Sequence, residues 1–238
     1  RILTIATSWW KKLQKNPDDL LSALLLDEVY YRSSKFNQAI EALSYVQKKY
    51  PGNILIETAL LRNYNKLNDR TQVLKQVEKI RDTDPDLTII ACYDFEGHMD
   101  KENYAEASKD LEKIRIAYGD DHETYLEYKI RLQNGKKDYQ EMINTIEYAF
   151  SKYPENSKFL QFKFQILKNV SKNPEEPSHL YEKYLSTNLD THIWSMLVDE
   201  YSNLNNTRKV EQAYQMLHKY FPEDVSYPNK LAVFYYNQ

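Results

Sequence analysis

The sequence contains little cysteine, glycine or proline, and it has no long apolar run. Its 238 residues include one cysteine, Cys92, so no disulfide can form within the chain. Only 4 glycines and 8 prolines are present, which leaves few residues for the tight turns that β-hairpins need. No apolar stretch approaches the roughly 18 residues of a membrane span. These features argue against a disulfide scaffold, an all-β fold and a membrane-spanning segment, and the lone cysteine favours a reducing, cytoplasmic compartment.

The sequence also lacks the common catalytic and phosphate-binding motifs. None of the five histidines lies in a HExxH or triad spacing, and neither a G-x-S-x-G nor a P-loop pattern occurs. Cys92 and His98 are six positions apart on a predicted helix, whereas helical side chains face each other at i+3 and i+4. We therefore expect no enzyme activity, no metal site and no cofactor in this chain.

The charge pattern gives no sign of a nucleic-acid partner. The formal net charge is −3, from 32 Lys and Arg against 35 Asp and Glu, and the two signs are interspersed along the chain. A surface that binds phosphates needs a stripe of basic residues, and the sequence contains none. Nucleic acid is therefore disfavoured as a partner.

What the sequence does contain is a helix-breaking residue at a regular interval. The breakers are Pro17, Pro51, Pro85, Gly119, Pro154, Asn188 and Pro222, which are 34, 34, 34, 35, 34 and 34 residues apart. Proline cannot donate a helical hydrogen bond, and glycine and asparagine tolerate the left-handed conformation at helix ends. Two residues after each breaker except Pro85 stands a residue that can cap a new helix: Asp19, Asn53, Asp121, Asn156, Asp190 and Asp224. A period of this length is typical of stacked helical repeats.

Each period has room for two helices. Apolar residues recur at helical spacing in two blocks, and a polar interruption such as Ser33–Lys35 or Asn68-Asp69 separates them. We predict about thirteen helices and no strand.

This pattern resembles the tetratricopeptide repeat family, whose repeat has Trp, Leu-Gly, Tyr, Ala, Phe, Ala and Pro at fixed offsets. In one period Leu26, Tyr30, Ala39, Leu43, Val46 and Pro51 stand at the family's Leu, Tyr, Ala, Phe, Ala and Pro positions, and in another Trp194, Leu197, Tyr201, Tyr214 and Pro222 match. The helix-packing Gly of the family is replaced throughout, for example by Asp27. The resemblance implies an all-α, right-handed superhelical solenoid of antiparallel helix pairs.

The period divides the chain into six complete repeats between two incomplete ones. Residues 1–19 supply only a second helix; the complete repeats are 20–53, 54–87, 88–121, 122–156, 157–190 and 191–224; residues 225–238 supply only a first helix. Both ends look cut, so we expect the chain to be a fragment of a longer protein. The repeat 157–190 is degenerate, because Pro174 and Pro177 interrupt it and Glu176 replaces the small residue expected at the helix crossing. Its second helix is expected to be short and loosely packed.

The resemblance also implies a concave groove lined by the second, fifth, sixth, ninth, twelfth and thirteenth residues of each first helix. In the first three complete repeats these are Leu21, Leu24, Leu25, Glu28, Tyr31, Arg32, Leu55, Thr58, Ala59, Arg62, Asn65, Lys66, Ile89, Cys92, Tyr93, Glu96, Met99 and Asp100. In the last three they are Glu123, Leu126, Glu127, Ile130, Gln133, Asn134, Lys158, Gln161, Phe162, Gln165, Lys168, Asn169, His192, Ser195, Met196, Asp199, Ser202 and Asn203. Several are apolar at positions that should meet solvent, as a peptide-binding groove requires.

From these positions we predict a partner-binding site. Its residues are Arg62, Lys66, Tyr93, Glu96, Asp100, Glu123, Leu126, Glu127, Phe162 and Lys168. Four of them, Glu96, Asp100, Glu123 and Glu127, would form an acidic centre between basic stretches, and a partner segment would place Lys or Arg opposite that centre.

The family resemblance implies a non-catalytic scaffold that binds a protein or peptide in its groove or packs within a multisubunit complex. Two alternatives stay open. The chain could be the substrate-recruiting arm or auxiliary subunit of a larger enzyme, such as an acetyltransferase or glycosyltransferase. It could also be a relative of the half-a-tetratricopeptide repeats of RNA-processing complexes, although the regular breaker argues against that.

Overall fold

The computed structural model describes residues 2–16 and 19–236, and these residues form fourteen α-helices and no strand. The helices are α1 (Ile2–Lys15), α2 (Leu20–Arg32), α3 (Phe36–Gln47), α4 (Ile54–Lys66), α5 (Arg70–Thr83), α6 (Thr88–Asp100), α7 (Tyr104–Tyr118), α8 (Glu123–Gly135), α9 (Tyr139–Lys152), α10 (Ser157–Val170), α11 (Glu176–Leu185), α12 (Thr191–Asn203), α13 (Thr207–Tyr220) and α14 (Ser226–Tyr236). The count is fourteen rather than about thirteen because each incomplete repeat adds one helix to the twelve of the complete repeats. Pro17, the first predicted breaker, lies outside the described residues.

Side-chain caps start many of the first helices of the repeats. Asn53 accepts hydrogen bonds from the backbone N–H groups of Leu55 and Ile56, and Asp190 does the same for His192 and Ile193. Such caps satisfy donors that the first helical turn cannot pair internally. Asp19 and Asn156 also cap the helices they precede, as their spacing from the breakers predicts.

The cap predicted at Asp121 is instead His122. Its Nδ1 accepts a hydrogen bond from the backbone N–H of Thr124 at 3.2 Å, and α8 begins at Glu123. The loop after Gly119 is therefore one residue longer than the loops after Pro51, Pro85 and Pro154, which accounts for the one interval of 35 residues. As a consequence every position on α8 shifts by one residue relative to the prediction.

A left-handed residue closes the turn between the two helices of most repeats. Ser34, Asn68, Glu102, Lys137 and Asn205 have φ between 54° and 62°. A non-glycine residue pays a steric cost in this conformation, so its recurrence shows that the turn geometry is imposed by the packing of the helix pair. The repeat 157–190 departs from this pattern, because Ser171 is extended there, with φ −72° and ψ 137°.

Contacts divide the chain into two compact units, residues 1–117 and 118–238. In the first unit each helix from α1 to α5 packs against the next, and the short turns make neighbours antiparallel. Its core contains the buried residues Leu13, Leu26, Leu43, Ile56 and Leu60. A second cluster joins α4, α5 and α6.

In the second unit the successive helices from α8 to α14 also pack against one another. The buried core draws on α10 to α14 and includes Phe164, Tyr181, Leu197, Tyr201 and Leu217. In each unit the core clusters join helices of neighbouring repeats, as expected for stacked helix pairs.

The second helix of the degenerate repeat is short, as predicted, but it is not loosely packed. α11 has 10 residues, yet Tyr181 and Leu185 are buried, and the Tyr181 ring stacks on Phe164 with a centroid distance of 4.1 Å. Glu176 is exposed and does not lie at the helix crossing. The small residue of α11 that is fully buried is Ser178. The turn before α11 is longer than the other turns within repeats, so the register of this helix is displaced.

Ala39→Leu is expected to lower the free energy of unfolding by about 1 to 3 kcal/mol, because added methylenes overpack a filled core. Ala39 is fully buried on α3, which packs against both α2 and α4. Thermal or urea denaturation followed by circular dichroism would measure the change. The matched control is Ala105→Leu, at an exposed position on α7 of the same unit. Equal stability of the two variants would show that Ala39 does not occupy a close-packed site.

Candidate functional site

The first unit has an open pocket along its first helices α2, α4 and α6. The pocket has a volume of about 570 Å³. We call it the first-unit groove, and it is lined by Leu24, Tyr31, Leu55, Thr58, Ala59, Leu61, Arg62, Asn65, Lys66 and Ile89. Apart from Leu61, all of these residues stand at positions that the repeat pattern assigns to a concave face.

The floor of the first-unit groove is apolar and partly open to solvent. Leu55, the second residue of α4, is 55% exposed, while Leu24, Ala59 and Ile89 are partly buried around it. Leu21 and Leu25 on α2 are also exposed.

Arg62 is the central polar residue of the groove. Its guanidinium donates to Asp27 at 2.6 Å and to Glu28 at 3.2 Å, and it lies 4.0 Å from the centre of the Tyr31 ring. Asp27 is buried and also accepts a hydrogen bond from Asn63 at 2.6 Å. Burial raises the pKa of Asp27, although the bonds from Asn63 and Arg62 act in the opposite direction. The Arg62 charge is therefore matched within the protein and is not fully available to a partner.

Two further polar groups lie beside Arg62. Asn65 donates a hydrogen bond to the Tyr93 hydroxyl at 2.5 Å, and burial raises the pKa of Tyr93. The Tyr93 proton stays available as a donor. Lys66 is exposed, its ammonium lies 6.0 Å from the Tyr31 ring, and it has no ion-pair partner among residues 2–16 and 19–236. Lys66 is thus the cation that the groove offers to a ligand.

The four acidic residues predicted to form one centre lie on two helices, one in each unit. Glu96 and Asp100 are on α6 of the first unit, where Glu96 is half-buried and Asp100 is exposed. Glu123 and Glu127 are on α8 of the second unit. Glu127 pairs with Lys158 at 2.6 Å, so part of the predicted acidity is neutralised by a side chain of the next repeat.

Leu126 does not lie on an exposed face, so its predicted role as an apolar contact is wrong. It is only 2% exposed. Because α8 begins at Glu123, Leu126 is the fourth residue of the helix, and the fourth residues Ala23 and Leu160 of α2 and α10 are buried as well. The same shift makes Glu123 the first residue of α8, where it accepts a hydrogen bond from Asn156 at 2.8 Å.

The other predicted site residues of the second unit lie on α10. Phe162 is half-buried. Lys168 is exposed and pairs at 2.5 Å with Glu200, a buried carboxylate on α12. The Lys168 charge therefore compensates a buried acid, in the same way that Arg62 compensates Asp27.

The sequence interpretation missed the acids that hold these cations. Asp27 was noted only as a replacement for the packing glycine of the repeat. The usable signal was its position, since Asp27 and Arg62 are 35 residues apart and so occupy adjoining places on successive first helices. An acid at such a position, followed 35 residues later by Arg, predicts an ion pair between repeats.

The described residues hold no cluster of three or more His, Cys, Asp or Glu side chains suited to a metal ion. His98 pairs with Asp110, with 2.7 Å between Nδ1 and Oδ2.

In residues 2–16 and 19–236, no helix is both long and apolar enough to cross a membrane.

No protein-family model matches the chain, and no curated protein sequence matches it significantly. Solved structures do match. A tetratricopeptide repeat protein from Parabacteroides merdae aligns over 98% of this chain and 92% of its own, with a TM-score of 0.72 and 13% identity. PilW, a widely conserved type IV pilus biogenesis factor, aligns over 88% of this chain and 96% of its own, with a TM-score of 0.61 and 14% identity. PilF of Pseudomonas aeruginosa aligns over 89% and 96%, with a TM-score of 0.56 and 11% identity. The chain therefore has an all-α, tetratricopeptide-like repeat fold, as its period predicts.

Proposed function

We propose that this chain is a non-catalytic protein-interaction scaffold that holds an extended segment of a partner protein in the first-unit groove. The observation that supports this most directly is the open pocket of about 570 Å³ with an apolar floor, in which Leu55 stays more than half exposed. Covering such apolar surface is favourable by roughly 25 cal/mol for each Å² removed from water. Concave apolar surface with a few polar groups at its edge is characteristic of binding sites.

The polar groups of the groove favour binding over catalysis. Arg62 is engaged by Asp27 and Glu28, and Asn65 is engaged by Tyr93, so these side chains are held in fixed positions by one another. Such groups can orient a ligand. The scaffold role also fits the first unit, because three successive repeats there line the groove with residues of their first helices.

The chemistry of the groove defines the segment that it accepts. Apolar side chains would cover Leu55 and Ile89, and an acidic side chain would approach Lys66. An exposed ion pair adds little affinity but favours one orientation and speeds association at low salt. We therefore expect the bound segment to combine aliphatic or aromatic residues with one Asp or Glu.

Leu55→Lys is expected to weaken binding of such a segment by about tenfold or more, since burial of a leucine is worth roughly 1.5 to 3 kcal/mol. The segments would be obtained by selecting random linear peptides on the complete chain. Binding of the selected peptides would then be measured by fluorescence anisotropy with the parent chain and with Leu55→Lys.

The control is Leu74→Lys on α5, the second helix of the same repeat. Leu74 is 57% exposed and Leu55 is 55% exposed, so the two variants replace the same residue type at nearly the same exposure. They differ in that Leu55 lines the first-unit groove and Leu74 does not. Selected peptides should lose affinity for Leu55→Lys and keep it for Leu74→Lys. Equal affinity for both variants, or no selectable peptide, would refute the groove as the binding site.

A further inference from the structure

The second unit contains a separate cavity beside its second helices. It has a volume of about 240 Å³ and lies between α11, α12 and α13. Its lining includes Glu182, Trp194, Tyr201, Lys209, Gln212 and Met216. We call it the second-unit cavity. It is not part of the first-unit groove, so what it binds is independent of the function proposed above.

One part of the second-unit cavity is apolar and aromatic. Leu185, Trp194, Leu197 and Met216 contribute apolar surface to its lining. The rings of Trp194 and Tyr220 are 6.5 Å apart at 46°, a tilted arrangement that offers ring faces and edges to a further aromatic group. Thioether sulfur also packs favourably against aromatic rings, and Met216 supplies one.

The other part of the cavity carries a charged acceptor. Oε1 of Glu182 accepts from the Tyr201 hydroxyl at 2.5 Å and from the Lys209 ammonium at 3.0 Å. Burial acts to raise the pKa of Glu182, but the bonds from Tyr201 and Lys209 outweigh it and lower that pKa, so the carboxylate is ionised at neutral pH. Oε2 has no hydrogen-bond donor in the part of the chain that the structure describes. Nε1 of Trp194 is buried and has no hydrogen-bond acceptor among the described residues. The lining residues therefore offer one unoccupied acceptor and one unoccupied donor, which a hydroxyl group can match because it both donates and accepts.

Volume and chemistry together select the occupant. Sites for drug-sized ligands measure roughly 300 to 1,000 Å³, and this cavity is smaller, so it suits a single side chain. The free Oε2 calls for a hydrogen-bond donor at the tip of an apolar ring. Phenylalanine has no donor, and lysine would bring a second cation beside Lys209. We propose that the second-unit cavity receives a tyrosine side chain of a protein partner, with the ring against Trp194 and Met216 and the hydroxyl donating to Glu182.

The two parts of the cavity have separate roles in this proposal. The ring supplies most of the binding free energy, because buried aromatic anchors in well-packed pockets dominate protein interfaces. The hydroxyl provides selectivity, since a hydrogen bond to a charged group favours a phenol over the same ring without the hydroxyl by roughly tenfold. Tryptophan also carries a donor but is larger, so an indole probe distinguishes the two.

The test uses the complete chain with methionine methyl groups labelled with ¹³C, observed by NMR. The chain has 4 methionines, at positions 99, 142, 196 and 216, and Met216 lines the cavity. Titration with 4-methylphenol should shift the Met216 signal saturably and leave Met99 and Met142 unchanged. Toluene and 3-methylindole should bind about tenfold more weakly than 4-methylphenol, and N-acetyl-tyrosine amide should bind at the same site.

Two variants test the assignment. Gln212→Trp places a large ring at an exposed lining position and should abolish the Met216 shift, whereas Gln215→Trp, exposed on the same helix and not in the lining, should preserve it. Glu182→Gln should remove the preference for 4-methylphenol over toluene while toluene binds as before. The proposal would be overturned if the Met216 signal showed no saturable shift. It would also be overturned if toluene bound as tightly as 4-methylphenol, or if N-acetyl-tyrosine amide did not bind.

Discussion

Replacing Arg62 with methionine is expected to lower the free energy of unfolding by about 3 kcal/mol, the low end of the range measured when one partner of a buried ion pair is removed. Asp27 is buried, and its carboxylate would lose the guanidinium that lies 2.6 Å away. Asn63 alone would still donate to it. The low end applies because the Arg62 side chain is itself 39% exposed, so water replaces part of the lost interaction.

A matched control is Arg32→Met. Arg32 also pairs with Glu28, at 2.5 Å, but its side chain is 79% exposed and it does not contact Asp27. Exposed pairs contribute roughly 0 to 1 kcal/mol, so this variant should be nearly as stable as the parent chain. Amide hydrogen exchange on α2 and α4 would locate the effect of Arg62→Met. The double variant Asp27→Asn, Arg62→Met should recover most of the lost free energy of unfolding, because it no longer has a buried carboxylate without its cation. If Arg62→Met and Arg32→Met were equally stable, the Arg62–Asp27 pair would contribute no more to stability than an exposed ion pair does.

The pH dependence follows from the raised pKa of Asp27. A carboxyl group whose pKa is higher in the folded state than in the unfolded state binds its proton more tightly when folded. Its contribution to stability is therefore present below its ordinary pKa and is lost as the pH rises through the folded value. Removing Arg62 should raise that pKa further. The stability difference between Arg62→Met and the parent chain should thus shrink as the pH is lowered through the Asp27 titration, and urea denaturation at several pH values would measure it.

Helix starts could be predicted from the sequence wherever local chemistry decides them. Asn53, Asn156 and Asp190 each cap a helix because a short polar side chain precedes an apolar helical block. After Gly119 the spacing predicts Asp121 as the cap, whereas the structure uses His122. The resulting shift of one residue moved Leu126 from a predicted groove position into the core.

The left-handed turns and the ion pairs depend on tertiary structure. Glu102 and Lys137 adopt positive φ although neither residue type favours it, because the two helices of a repeat can pack only if the turn closes there. The first-unit groove was largely predictable, since its lining follows from helix phase in the first three repeats. The charge that it presents was not, because Asp27 and Glu28 match Arg62 across two helices and leave Lys66 as the available cation.

Tyr181→Ala is the second change with a large expected effect, a loss of about 3 to 5 kcal/mol, as for other buried aromatic residues cut back to alanine. Tyr181 is fully buried on α11, the shortest described helix, and its ring stacks on Phe164 of α10. Its ring lies parallel to that of Phe164, with an angle of 4° between the ring planes. Removing the ring leaves a cavity in the core between α10 and α11.

Comparing the stabilities of Tyr181→Ala and Tyr181→Phe separates the contribution of the Tyr181 ring from that of its hydroxyl. The hydroxyl makes one long contact, 3.7 Å to the sulfur of Met196, so Tyr181→Phe should lower the free energy of unfolding by less than about 1 kcal/mol. Hydrogen exchange should show faster opening of α10 to α12 in Tyr181→Ala, with the first unit unchanged, because repeats transmit stability mainly to their neighbours. If Tyr181→Ala were as stable as Tyr181→Phe, α11 would be loosely packed, as its sequence suggests, and the stacked pair would not hold the degenerate repeat in place.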